Sequence, residues 1–206
     1  MSLAFESVRD ALDRLAVECT YIRAAIDQVG YPPERVGSSD PESLMRIIVG
    51  QQLSTKAAAT INARLASLLD GGGYGVIPQL SDEALRGVGL SRPKIRYLRA
   101  LAEAILSQSL DLEVLSQLSD EDVVQRLIAL PGFGLWSANM YLIFNLQRPD
   151  VWPIGDLAVR AGISRLVGAS CRLSERELDQ WGERWRPERS SVALLAWYFY
   201  AKVPGI

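Results

Sequence analysis

The chain has 206 residues, 49% of them apolar, with 22 basic residues against 24 acidic ones, no histidine and a formal net charge of −2. This supports a sizeable core in one domain or one two-lobed unit and excludes a disordered tail. The missing histidine removes Ser-His-Asp and Cys-His nucleophiles, histidine zinc sites and histidine acid–base chemistry, so any catalysis must rest on carboxylates, lysines, hydroxyls or backbone groups.

Taken in chain order, the pattern predicts helices throughout. Residues 4–28 repeat apolar positions at Leu12, Leu15, Ile22 and Ile26, and Tyr31-Pro32-Pro33 closes that helix. Asp40 reads as an N-cap with Pro41 in the first helical position and Leu44, Ile47 and Ile48 facing inward. Gly50 interrupts the pattern, Ser54 caps a restart that runs to about residue 69, and the glycines of 71–75 predict a loop.

Short helices follow from Asp82, over 92–107 and over 120–129, the last opened by Ser119 with Asp122 three residues on. Further helices are expected over 135–146, 157–167, 175–184 and 188–201. No stretch alternates long enough for a strand. The expected fold class is all-α: two helical lobes with a cleft between them, with approximate lobes 40–133 and 1–39 plus 134–206.

The longest apolar run, residues 192–201, is about half the ~20 residues that span a bilayer. The first residues show no basic region followed by an apolar stretch. We therefore expect a monomer with no membrane partner, cytoplasmic and, in a prokaryote, nucleoid-associated. Cys19 and Cys171 have no metal-ligand spacing and read as two buried thiols. The slightly acidic total argues mildly against a nucleic-acid partner, but the distribution is uneven. Arg86, Arg92, Lys94, Arg96 and Arg99 come without an intervening acid, and the balance reverses from Glu103 to Asp122.

The stretch LPGFGLWSANMY, residues 130–141, is unusual for a connector. Pro131 ends one helix, Gly132 can take a left-handed conformation, and Gly134 leaves room for another chain. Gly134 also stands where Ser or Asp would cap the next helix, so its first amides and its dipole are available to an anion such as a phosphate.

Together with VWPIGDLAVRAGI (151–163), this stretch resembles the helix-hairpin-helix DNA glycosylase superfamily, in which a Gly/Pro-rich loop and an aspartate follow the hairpin. IVGQQLSTKAA (48–58), GLSRPKIRYL (89–98) and RSSVALLAWY (189–198) resemble the alkylated-base, 3-methyladenine branch in order and spacing. The resemblance covers about residues 40–200 and implies a monofunctional glycosylase that acts on duplex DNA and leaves an abasic site. Two other readings are a non-catalytic hairpin module that binds DNA and a bifunctional oxidised-base glycosylase and lyase.

By position, Asp156 is the family's catalytic aspartate, a role compatible with its reading as an ordinary N-cap. Trp136 stands where bifunctional relatives carry a lysine, and indole cannot form a Schiff base. Trp136 and Trp197 match aromatic positions that line the base pocket, where electron-poor alkylated purines stack. Met140 stands where an aromatic is frequent, which implies a wider pocket.

The resemblance assigns DNA contacts to Gln51 and Gln52 at the wedge position, to backbone amides of Gly132, Gly134 and Trp136, and to the basic side chains of Arg92 and Lys94. Gln52 departs from the branch, which often has an apolar residue there. Main-chain carbonyls of Ile128, Leu130 and Phe133 would hold a Na+ or K+ in the hairpin. No cofactor is otherwise implied. The four-cysteine iron–sulfur signature of several cousins is missing, so no cluster is expected, and the resemblance implies a short form without the additional N-terminal domain of longer relatives.

Overall fold

The computed structural model describes residues 7–33 and 38–204. The helices in chain order are α1 (Val8–Glu18), α2 (Thr20–Val29), α3 (Pro41–Gly50), α4 (Thr55–Leu69), α5 (Asp82–Gly87) and α6 (Arg92–Leu106). They continue as α7 (Leu112–Gln117), α8 (Asp120–Ile128), α9 (Leu135–Phe144), α10 (Leu157–Leu166), α11 (Glu175–Gly182) and α12 (Arg189–Lys202). Two 3₁₀ segments, Gly73–Gln79 and Glu183–Trp185, complete the set, and the described residues contain no strand. The all-α expectation holds. No helix among the described residues is long and apolar enough to cross a membrane.

The helix starts follow from short-range chemistry. Asp40, Ser54, Ser91 and Ser119 each accept a backbone N–H of the first turn through a side-chain oxygen. The expected single helix over 4–28 is instead two, broken at Cys19, which is extended at φ −113° and ψ 101°; residues 4–6 lie outside the described residues. The break exposes carbonyls at the end of α1, and the Arg23 guanidinium satisfies one by donating to Ala16 O at 3.0 and 2.7 Å. The expected loop at 71–75 winds into the 3₁₀ segment from Gly73, and α7 was not anticipated. Nor are the cysteines both buried: Cys19 is half-buried and Cys171 exposed.

The chain divides into two units, Met1–Val36 with Arg148–Ile206, and Gly37–Gln147. The division falls after Gln147 rather than after residue 133, so the second hairpin helix belongs with the central helices. In the central unit α3 packs on α4, α6 and α9, and α8 packs on α9. Leu44, Ile48, Leu98, Leu127 and Tyr141 are fully buried there. In the terminal unit α12 packs on α1, α2 and α10, around Leu12, Ile22, Val159, Ile163 and Trp185.

Candidate active site

In the terminal unit, the segment from Arg148 to Asp156 is fastened at several points. Asp150 binds Arg189 through two parallel bonds, Nε to Oδ1 at 2.7 Å and Nη2 to Oδ2 at 3.0 Å. This fork geometry is among the stronger charged hydrogen bonds. Ser190 Oγ donates to Arg148 O and accepts the Val151 amide. Trp152 donates its indole N–H to Leu178 O, and its ring lies where a Cβ on Gly182 would be, at 2.4 Å.

Beyond that anchor the chain turns back, with the Asp156 amide donating to Pro153 O at 2.9 Å. Asp156 caps α10: the amides of Ala158 and Val159 donate to Oδ1, each at 2.9 Å. The indole N–H of Trp197 on α12 donates to that same oxygen at 3.0 Å. Oδ1 thus accepts three N–H groups, and Asp156 is only 9% exposed. Here is a nearly buried carboxyl group held by directional donors.

The hairpin lies in the central unit. Leu130 N donates to Leu127 O and Phe133 N to Leu130 O, which folds the chain tightly after α8. Gly132 has φ +86° and sits against Tyr97 of α6, so it needs both glycine's backbone freedom and its lack of a Cβ. Gly134 takes no special backbone conformation. Its φ is −111°, an ordinary extended value, and nothing lies within 4 Å of a Cβ built there. As the N-cap residue, Gly134 gives α9 no side-chain cap. The open space and the uncapped start of α9 together suit an anion approaching from outside the chain.

The turn after α3 is braced by two of the residues expected to contact DNA. Gln51 spends its amide within the protein, donating to Gly132 O at 2.8 Å and Ser137 Oγ at 2.9 Å. Lys94 likewise donates Nζ to Val49 O and Gln51 O, each at 2.8 Å, and so closes the end of α3. Partial burial lowers its pKa below the ordinary lysine value. Both residues therefore brace the turn, a role their positions in the sequence did not reveal. Gln52, at φ +56°, is exposed beside Leu53, itself 39% exposed, so the turn presents these two side chains outward. Arg92 is exposed near the start of α6.

Of the aromatic positions, Trp136 is 38% exposed on the first turn of α9. Met140, one turn further on, is 5% exposed, so it offers little surface to a ligand. Leu130 O already accepts the Phe133 amide, leaving a second lone pair, and an all-carbonyl donor set suits a hard monovalent cation. Tyr97, Trp152, Asp150 and Arg189 were missed from the sequence. Arg189 did carry a signal: a cation in the first turn of a helix opposes the dipole and calls for a carboxylate partner.

The chain is similar to known proteins in both sequence and structure. The chain is 37% identical over 173 residues to DNA-3-methyladenine glycosylase 1 of Schizosaccharomyces pombe, covering 81% of this chain and 76% of that one. It is 35% identical over 145 residues to the DNA-3-methyladenine glycosylase of Saccharomyces cerevisiae, covering 66% of this chain but 49% of that longer protein. In structure it superposes with TM-score 0.83 on a 3-methyladenine DNA glycosylase of S. pombe in complex with abasic DNA, at 31% identity, covering 93% and 95% of the two chains. Residues 45–187 match the HhH-GPD superfamily base excision DNA repair proteins, and the chain belongs to that family.

Proposed function

We propose that this chain is a monofunctional DNA glycosylase that hydrolyses the N-glycosidic bond of alkylated purines in duplex DNA and leaves an abasic site. The observation that carries this reading is Asp156: an anion 9% exposed, fixed by two amides and an indole N–H at the end of the family's Gly/Pro-rich loop. A module that only binds DNA has no need of such a carboxylate.

The chemistry follows from what bond cleavage demands. As C1′–N breaks, the sugar gains positive charge, and a fixed carboxylate stabilises that charge without reorganising. Water oxygen then bonds to C1′, its proton leaves to solvent, and the base takes the electron pair of the broken bond. A cationic N-alkylated purine departs as a neutral molecule, so no general acid is required of a chain without histidine. The exposed indole of Trp136 suits stacking on such a base and holds no amine for a Schiff base.

DNA grip rests on the uncapped start of α9 and on Arg92, with Gln52 and Leu53 presented at the turn that would fill the vacancy left by an everted nucleotide. The carbonyls of Ile128, Leu130 and Phe133 would hold a Na+ or K+ that favours a nearby phosphate. Acting as a monomer, the protein would need no other cofactor.

The test is a panel of duplex oligonucleotides, each carrying one of 3-methyladenine, 7-methylguanine, ethenoadenine or hypoxanthine. After incubation, hot alkali converts abasic sites to strand breaks. We expect breaks with at least one alkylated purine and no adduct on borohydride treatment. Intact strands throughout would favour the binding-module reading, and a trapped adduct would favour a lyase.

A further inference from the structure

We propose that Trp197 is a positioning residue for Asp156, acting through its indole N–H rather than through the face of its ring. This rests on the reading of Asp156 as the anion beside the sugar and assigns a separate task to its neighbour.

Capping α10 requires only the amides of its own first turn, which Asp156 Oδ1 already accepts from Ala158 and Val159. A third donor, brought from another helix, adds nothing to the cap. What it adds is direction. The carboxylate torsion has a broad minimum, and two amides from one helix turn leave it room to rock. Trp197 Nε1, arriving at 3.0 Å from α12, pins the same oxygen from a second side.

The approach of the two helices is built for this contact. A Cβ on Gly162 of α10 would lie 2.2 Å from Ala196 O and 2.8 Å from its carbonyl carbon. Glycine therefore allows α10 to press against the backbone of α12 immediately before Trp197. At the start of α12, Arg189 and Ser190 hold the other end of the loop that leads to Asp156. One helix thus fixes both the loop and the carboxylate at its end.

The experiment is a double-mutant cycle read by single-turnover kinetics on a duplex carrying one alkylated purine that the wild-type protein excises. Trp197→Phe keeps an aromatic surface and deletes the N–H. We expect its excision rate to fall about tenfold, with the half-saturating DNA concentration and the Tm unchanged. In an Asp156→Asn background the same substitution should have no further effect. Should Trp197→Phe lower the Tm, benzothienylalanine at position 197, with sulfur in place of N–H at nearly constant shape, should give the same loss of rate.

A wild-type rate for the N–H-deleted protein would overturn the proposal. So would an equal loss in both backgrounds, since the ring would then act independently of the carboxylate. Failure of the underlying reading looks different: Asp156→Asn would itself retain the full rate.

Discussion

The ring of Tyr97 occupies the space that a Cβ on Gly132 would need, with Cγ and Cδ2 each 2.2 Å from that point. Helix α6 thereby fixes the hairpin's sharpest turn, and the same helix supplies Lys94 to the turn after α3. Gly132→Ala should destabilise the protein by about 2–4 kcal/mol, from the φ of +86° and the clash together. Adding Tyr97→Ala should recover the steric part and leave the backbone part. Denaturant melts of the two proteins would show the partial recovery; equal stabilities of Gly132→Ala and wild type would contradict it.

Lys94 and Arg92 lie two residues apart and should behave differently. Lys94→Met removes the donor to Val49 O and Gln51 O and should cost about 1–2 kcal/mol of stability. The salt dependence of DNA binding should stay as in wild type. Arg92→Ala should leave stability unchanged and make the slope of log K against log salt shallower by about 0.9 for one lost phosphate contact. Fluorescence anisotropy across a salt series distinguishes the two.

Tyr141 is fully buried and its hydroxyl has no hydrogen-bond partner among the described residues. Burial, and secondarily the charge of Asp40, pushes its pKa up to about 12. Because the folded value is raised, this group's contribution is fully present below the unfolded value near 10 and is lost as pH rises toward 12. Stability should therefore fall by up to about 3 kcal/mol across that window. Tyr141→Phe should abolish that fall and leave stability at pH 7 equal or about 1 kcal/mol higher, since an unsatisfied hydroxyl is removed. Urea melts at neutral and alkaline pH would read both effects.

Gly162→Ala should separate α10 from α12, because its Cβ meets the Ala196 backbone rather than a flexible side chain. A loss of about 2–3 kcal/mol in a thermal melt is expected. The excision rate at permissive temperature should fall as well, since the Trp197 contact depends on the same approach. An unchanged Tm would show that the helices can part at no cost.

What could be read from the sequence was what short-range chemistry decides. Asp40, Ser54, Ser119 and Asp156 announce helix starts because a cap needs partners only two or three residues away. The break at Cys19 was hidden because the apolar period continues across it and the compensating donor, Arg23, looks like a surface cation. The bracing role of Gln51 and Lys94 was hidden for a related reason. Their partners lie more than forty residues away, at Gly132, Ser137, Val49 and Gln51, so only the folded chain shows those polar groups spent on bracing. Asp156 was legible both as cap and as candidate catalyst, but the indole donor that separates it from an ordinary cap comes from α12.

Asp156→Asn bears on all of this at once. Asparagine keeps Oδ1 as an acceptor for the two amides and the indole, so fold and Tm should survive, while the negative charge is lost. Single-turnover release of the alkylated base should fall at least about a hundredfold, the scale on which fixed electrostatic groups act, with duplex binding intact. A rate within about twofold of wild type would remove the carboxylate from the chemistry, and the account of this site would fall with it.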